Sequence, residues 1–183
     1  MPLRQVPRST ASDQTIHSCH TQTHIFHRDK LRSSFLTIRQ TTAEDGWRLN
    51  EAAWPVVSKP GGTHDAYARA LRQAEAAVQT DRDNGRNVNT LGVAHYRLGA
   101  YAKAVETLKQ SEKLNTTEGG SQPSDLAFQA MAQHQLGHKE QAQAMLARLR
   151  EVMKQKNWAQ NTEAQGFLGE AEALIEGKPA DNK

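Results

Sequence analysis

The chain has 183 residues, 37% of them hydrophobic and 23% charged, a composition that suits one domain with a thin core and excludes a large compact globule. Its formal net charge of +3 is local: residues 1–43 carry six Lys or Arg against two acids, while the remainder carries 17 against 18. A near-neutral body excludes the clustered basic face that nucleic acid requires, the single Cys19 excludes an internal disulfide, and the longest apolar run, Ala52 to Val57, excludes a membrane span of about 20 residues.

Residues 1–43 contain twelve Ser or Thr and four of the eight histidines, with no sustained apolar period, and they read as a disordered basic tail. They lack the apolar core of a secretory signal, so the chain reads as soluble and cytoplasmic. Arg, Ser and Thr give the tail a superficial likeness to an organelle transit segment, against which its histidines and weak amphipathicity argue. From residue 44 to 177 the chain reads as an all-α domain, rich in Ala, Gln, Glu, Leu and Arg, and residues 178–183 as a disordered end. Thr42 and Asp45 are candidate N-caps of a helix over 43–57, which Pro55 kinks or ends. A loop through Lys59-Pro60-Gly61-Gly62 leads to a helix over 64–80. The turn Asp81 to Gly85 introduces helices over 86–98 and 101–114, with Gly99 as the left-handed stop between them. A third pair spans Asp125 to Met153 after a Gly-rich turn at 117–121. The last helix starts at a capping box of Thr162 and Gln165, carries a stripe of Ala164, Phe167, Leu168, Ala171, Leu174 and Ile175, and stops at Gly177 and Pro179.

These helices repeat. Tyr67, Ala70, Ala74 and Ala77 recur 34 residues on as Tyr101, Ala104, Leu108 and Ser111, and Gly99, Ala104 and Leu108 recur 38 residues on as Gly137, Ala142 and Leu146. The four extra residues fall in the Gly-rich turn. Gly92 and Ala104 are small where two helices of one hairpin cross, and Tyr101, Leu108 and Leu114 add bulk on the buried stripe. The stretch Asn89 to Ala104 resembles the tetratricopeptide (TPR) repeat: Leu-Gly in the first helix, Gly at the turn, then Tyr and Ala opening the second. Val88, His95 and Thr116 depart from that pattern in the second unit, and Gln129 and Lys139 in the third. The resemblance covers about residues 46–176, is closest to TPR segments of bacterial proteins with serine/threonine kinase or WD-repeat modules, and implies a right-handed solenoid of three hairpins with the last helix as its cap.

Sites of chemistry are sparse. His17, Cys19, His20, His24 and His27 offer zinc-binding groups, but their spacing fits no zinc-finger pattern and no apolar framework surrounds them. Asp81-Arg82-Asp83-Asn84-Gly85 begins like a calcium loop, yet the twelfth position is Gly92 where the loop needs Glu, so an inter-repeat turn is the better reading. No nucleophile motif, phosphate-cradling loop or paired catalytic carboxylate appears, and Glu170, Glu172 and Glu176 read as a solvated face of the last helix. No catalytic residue, cofactor or metal is therefore expected.

What remains is a groove. The resemblance implies a concave face built from the first helix of each unit: Trp47, Asn50 and Trp54, then Arg86, Asn89, Val93, Tyr96 and Arg97, then Ala127, Met131, His134 and Gln135. Trp, Tyr, Arg and Met dominate interface energetics, although Trp54 and Val93 read equally as inter-repeat packing. Some TPR proteins grip a terminal carboxylate with Lys and Asn at positions that here carry Val93 and Asn89, so that clamp is not assembled. The expectation is a non-catalytic adaptor that binds a partner peptide, with no nucleic-acid or membrane partner. Arg97→Ala or Tyr96→Ala is then expected to weaken binding at unchanged helicity. The alternative is an accessory segment of a multidomain kinase-type signalling protein, itself without kinase activity.

Overall fold

In a computed structural model of the chain, residues 44–116 and 121–177 are described. The 1–43 tail with its Cys/His cluster, Thr42, most of the Gly-rich turn and the 178–183 end lie outside them. The described residues are all helix and connection, with no strand among them. Helix α1 covers 44–57, followed by α2 (His64–Thr80), α3 (Gly85–Arg97), α4 (Tyr101–Thr116), α5 (Pro123–Gln135), α6 (Lys139–Met153), the single turn α7 (Lys156–Ala159) and α8 (Thr162–Glu176). No helix among the described residues is long and apolar enough to cross a membrane.

Local chemistry explains where these helices start. The Thr63 hydroxyl accepts from Ala66 N at 3.2 Å, and Asn84 Oδ1 accepts from Arg86 N and Asn87 N at 3.1 and 3.3 Å, so the Asp81–Gly85 segment serves as a turn and cap. Asp45 lies inside the first turn of α1 and does not cap it. The start of α8 also differs from the capping-box expectation. Asn161 is the cap, accepting from Ala164 N at 2.9 Å, and the Gln165 amide donates to Ala159 O at 3.0 Å, away from Thr162. Asn outranks Thr as a cap and stands one residue earlier, which is why it wins. Pro55 falls in the last turn of α1, exposed, and the helix ends two residues later.

Small side chains set the spacing between helices. Gly92 of α3 lies against Leu108 of α4 so closely that a Cβ there would stand 2.6 Å from Leu108 Cγ. Gly99, at φ +76°, occupies the left-handed region that turns α3 into α4. Ala53, Ala70, Ala74, Ala94, Ala104, Ala130 and Ala142 are buried along the same seams, with Leu108, Leu126, Phe128, Met131, Leu146 and Leu149 filling the wider spaces. Gln129, where an apolar residue was expected, is buried and donates from Nε2 to Glu112 Oε2 at 3.2 Å, so a hydrogen bond replaces the missing apolar contact.

Helices α3 and α4 pack closely, as do α5 and α6, and α5 also packs mainly on α4, the second helix of the preceding pair. Helix α8 breaks that pattern. It packs chiefly on α5 and less on α6, which shifts it toward the face formed by α1, α3 and α5.

Candidate functional site

That shift decides what happens to the expected binding face. Phe167 of α8 meets Trp54 edge-on at 5.9 Å between ring centroids and Phe128 at 5.4 Å. The Trp54 indole donates to Glu163 Oε1 at 2.9 Å. Arg97 of α3 is the hub: its guanidinium pairs with both oxygens of Glu170, at 2.9 Å for Oε2, and donates to the carbonyls of Val57 and Ser58 at 2.8 and 3.2 Å. It also lies 4.9 Å from the Phe128 ring centroid. Only 6% of the Arg97 side chain is exposed. Tyr96, beside it, points its hydroxyl at Met131 Sδ, and burial together with the Glu170 charge pushes its phenol above the ordinary value of 10.

The face therefore divides. Val93, Ala127 and Met131 are fully buried, Tyr96 is half-buried, and Arg97 is committed to the fold, so these residues meet the chain's own helices and no open groove. His134 is half-buried and Gln135 exposed at the end of α5, and Trp47 stands 58% exposed near the start of α1. Substituting Arg97 is accordingly not a clean probe of binding. Glu170, expected on a solvated face, holds Arg97, while Glu172 and Glu176 both accept from Arg150 of α6, at 2.6 and 2.7 Å. Three acids of α8 thus pair with arginines of other helices.

Asn50, Trp54, Arg86 and Asn89 remain together at the other half of the face. They line a pocket of about 370 Å³ with Asn115, the start of α5 at Gln122–Ser124, Trp158 of α7, and Asn161, Glu163 and Phe167. Three helices, α3, α5 and α8, begin close to its lining residues Arg86, Pro123 and Asn161. The chain matches no protein-family model and none of the curated proteins it was compared with. The pocket is therefore read from its own chemistry.

Two of its lining residues, Asn89 and Asn115, belong to a buried polar network. Asp125, fully buried in the first turn of α5, accepts from Asn89 Nδ2 at 2.6 Å and from Asn115 Nδ2 at 2.9 Å. Asn115 Nδ2 also donates to Ser111 Oγ, whose hydroxyl donates to Gly85 O at 2.9 Å. Burial raises the Asp125 carboxyl from 3.8 to about 6, partly offset by the polar groups of Ser111, Asn89 and Asn115 around it, with the Glu112 charge adding to the rise. Asn50 is different: it is 2% exposed, and its Oδ1 has no hydrogen-bond donor among the described residues. A buried acceptor without a partner costs about 1–3 kcal/mol. Trp54, Trp158 and Phe167 add aromatic lining, and Arg86, Glu51 and Glu163 add charged groups. Such a site offers amide recognition and aromatic contact.

Sequence reading missed Asp125, Asn115, Trp158, Glu163 and Phe167 as parts of the site. Asp125 is the only acid in an otherwise apolar and amide-rich helix, which was a usable signal. Glu163, Phe167 and Glu170 fall at i, i+4 and i+7, one face of α8, which marked that face as partnered along its length.

Proposed function

We propose that the chain is a non-catalytic interaction module of the tetratricopeptide type, and that it holds a peptide segment of a partner protein in the pocket between α1, α3 and α8. The unpartnered Asn50 Oδ1 carries this reading. Asn50 lines the pocket with its Oδ1 shielded, so a ligand N–H that shifts the wall and reaches this acceptor gains a bond the free chain lacks, and a peptide backbone supplies such a group at nearly every residue. Trp54 and Trp158 add the apolar contact area that anchors a side chain, and Arg86 at the rim takes an acceptor. The 34-residue recurrence and the hairpin-like pairing of α3 with α4 and α5 with α6 support the repeat assignment. The near-neutral charge from residue 44 onward favours protein over nucleic acid as the partner.

Selection of peptides from a random displayed library on the full chain, followed by calorimetry, tests the proposal. Asn50→Leu and Trp158→Ala should each weaken the selected peptides about tenfold, the equivalent of one lost hydrogen bond or anchor contact. Trp47→Ala, outside the pocket, should leave affinity unchanged. Failure to select any peptide above background, or equal affinity for all four proteins, overturns the reading.

A further inference from the structure

We propose that α8 is a tethered pseudo-ligand. It seats on a docking strip built by Trp54, Arg97 and Phe128, and the partner that replaces it is an amphipathic helix carrying an aromatic side chain followed three residues later by a carboxylate.

Four observations carry this. First, α8 departs from the packing that the earlier helices follow, sitting chiefly on α5 and reaching α1 and α3 through three side chains, Glu163, Phe167 and Glu170. Second, the strip is assembled without α8. Arg97 also donates to the Val57 and Ser58 carbonyls and lies against the Phe128 ring, so the cation keeps its position when α8 leaves and is then open to solvent or to another carboxylate. Third, α8 is weak as a helix. Gly166 and Gly169 lie in its interior, and a Cβ at either would meet nothing within 4 Å, so no packing constraint requires them and each lowers helix propensity relative to alanine. Fourth, the segment joining α6 to α8, from Lys154 to Gln160, is exposed except for Trp158, which packs against the core and is its one anchored side chain. The pairs of Arg150 with Glu172 and Glu176 are about one-third exposed and add little, so α8 is held mainly by Ala164, Phe167 and Ala171 in the core.

What α8 presents to the strip defines what the strip accepts: an aromatic ring against Trp54 and Phe128, and a bidentate carboxylate on Arg97. The strip can be tested without the pocket ligand, because it is open only with α8 released, although Trp54, Glu163 and Phe167 belong to both.

Hydrogen exchange on the full chain reads the release directly. The α8 amides should exchange faster than those of α3 and α5, through an opening that leaves α3 and α5 protected. Gly166→Ala with Gly169→Ala should slow α8 exchange about 10- to 30-fold and leave the other helices unaffected. A labelled synthetic peptide with the sequence of residues 161–177 should bind the full-length Phe167→Ala, Glu170→Gln variant at least tenfold more tightly than it binds the unsubstituted chain. The same peptide without its Phe and second Glu should not bind, and Asn50→Leu should leave this binding unchanged. Exchange of α8 only together with α5 overturns the proposal, as does an opened variant that keeps its helical content yet gains no affinity. Concentration-dependent dimerisation of the unsubstituted chain through exchange of α8 also overturns the assignment to a different partner.

Discussion

Replacing Asp125 by Asn separates the cost of a buried carboxylate from everything else that titrates in this protein. Asp125 lies fully buried between two amide donors, and its carboxyl is raised from 3.8 to about 6. The folded state therefore holds a proton that the unfolded chain has released between those two values. A group raised in this direction contributes stability below about pH 4 and loses it as pH climbs through about 6. At about 1.4 kcal/mol per pH unit, the loss amounts to about 3 kcal/mol. Glu112 works the other way: burial raises it, but hydrogen bonds from Gln129, Arg148 and Ser121 and the Arg148 charge leave it below its ordinary value of 4.5, so its contribution is lost as pH falls. That effect is common to both proteins and cancels in their difference. The Asp125→Asn variant keeps the volume and, with one neighbouring amide turned over, the hydrogen bonds. Urea denaturation followed by circular dichroism at about pH 4 and about pH 7.5 should show the unsubstituted chain losing about 3 kcal/mol relative to the variant between the two conditions. A difference between the two proteins that stays flat across that range refutes the assignment of a proton to this site.

Two further outcomes follow from the same geometry. Arg97→Ala should cost about 3–5 kcal/mol in chemical denaturation, because it strands the Glu170 carboxylate and two carbonyls at the end of α1. Glu170→Ala should cost less, since Arg97 becomes solvated once α8 lifts, and equal losses for the two variants contradict that ordering. Asn50→Leu removes a buried acceptor that has no donor, so it should raise stability by about 1 kcal/mol, or about 3 °C in melting temperature, while it weakens the pocket's peptide. Reduced stability in that variant indicates that Asn50 is already satisfied.

Much of the helical framework was legible because local rules determine it. The 34-residue recurrence placed α2, α3 and α4 to within two residues of their observed ends, and Gly92, Gly99 and Ala104 act as their sizes and dihedrals require. The destination of α8 was not legible. Its apolar stripe says which side is buried but not what covers it, and the deciding contact, Glu170 with Arg97, joins residues 73 apart in sequence. Acids on that helix look solvated when read alone. Asp125 was hidden for a similar reason. An acid in the first turn of a helix is ordinarily a solvated partner of the helix dipole, and only the arrival of Asn89 and Asn115 from two other helices makes it a buried acceptor.

On the proposed reading, the two halves of this face are coupled through the side chains they share. Trp54 takes Glu163 and Phe167 from α8, and all three of these residues also line the pocket. Release of α8 would strip two walls from the pocket while opening the strip, so a ligand that uses those walls favours the seated helix and a ligand of the strip favours the released one. Linkage then requires each ligand to weaken the other by the same factor. The size of that factor is bounded by the contacts Glu163 and Phe167 make with the pocket ligand, since a ligand indifferent to them has no differential affinity for the two states. Asn50 and Asn89, which come from α1 and α3, stay in place in both states and set the part of the affinity that does not depend on α8. A peptide that bonds only to those amides would bind equally with α8 seated or released, whereas one that stacks on Phe167 would hold the helix shut.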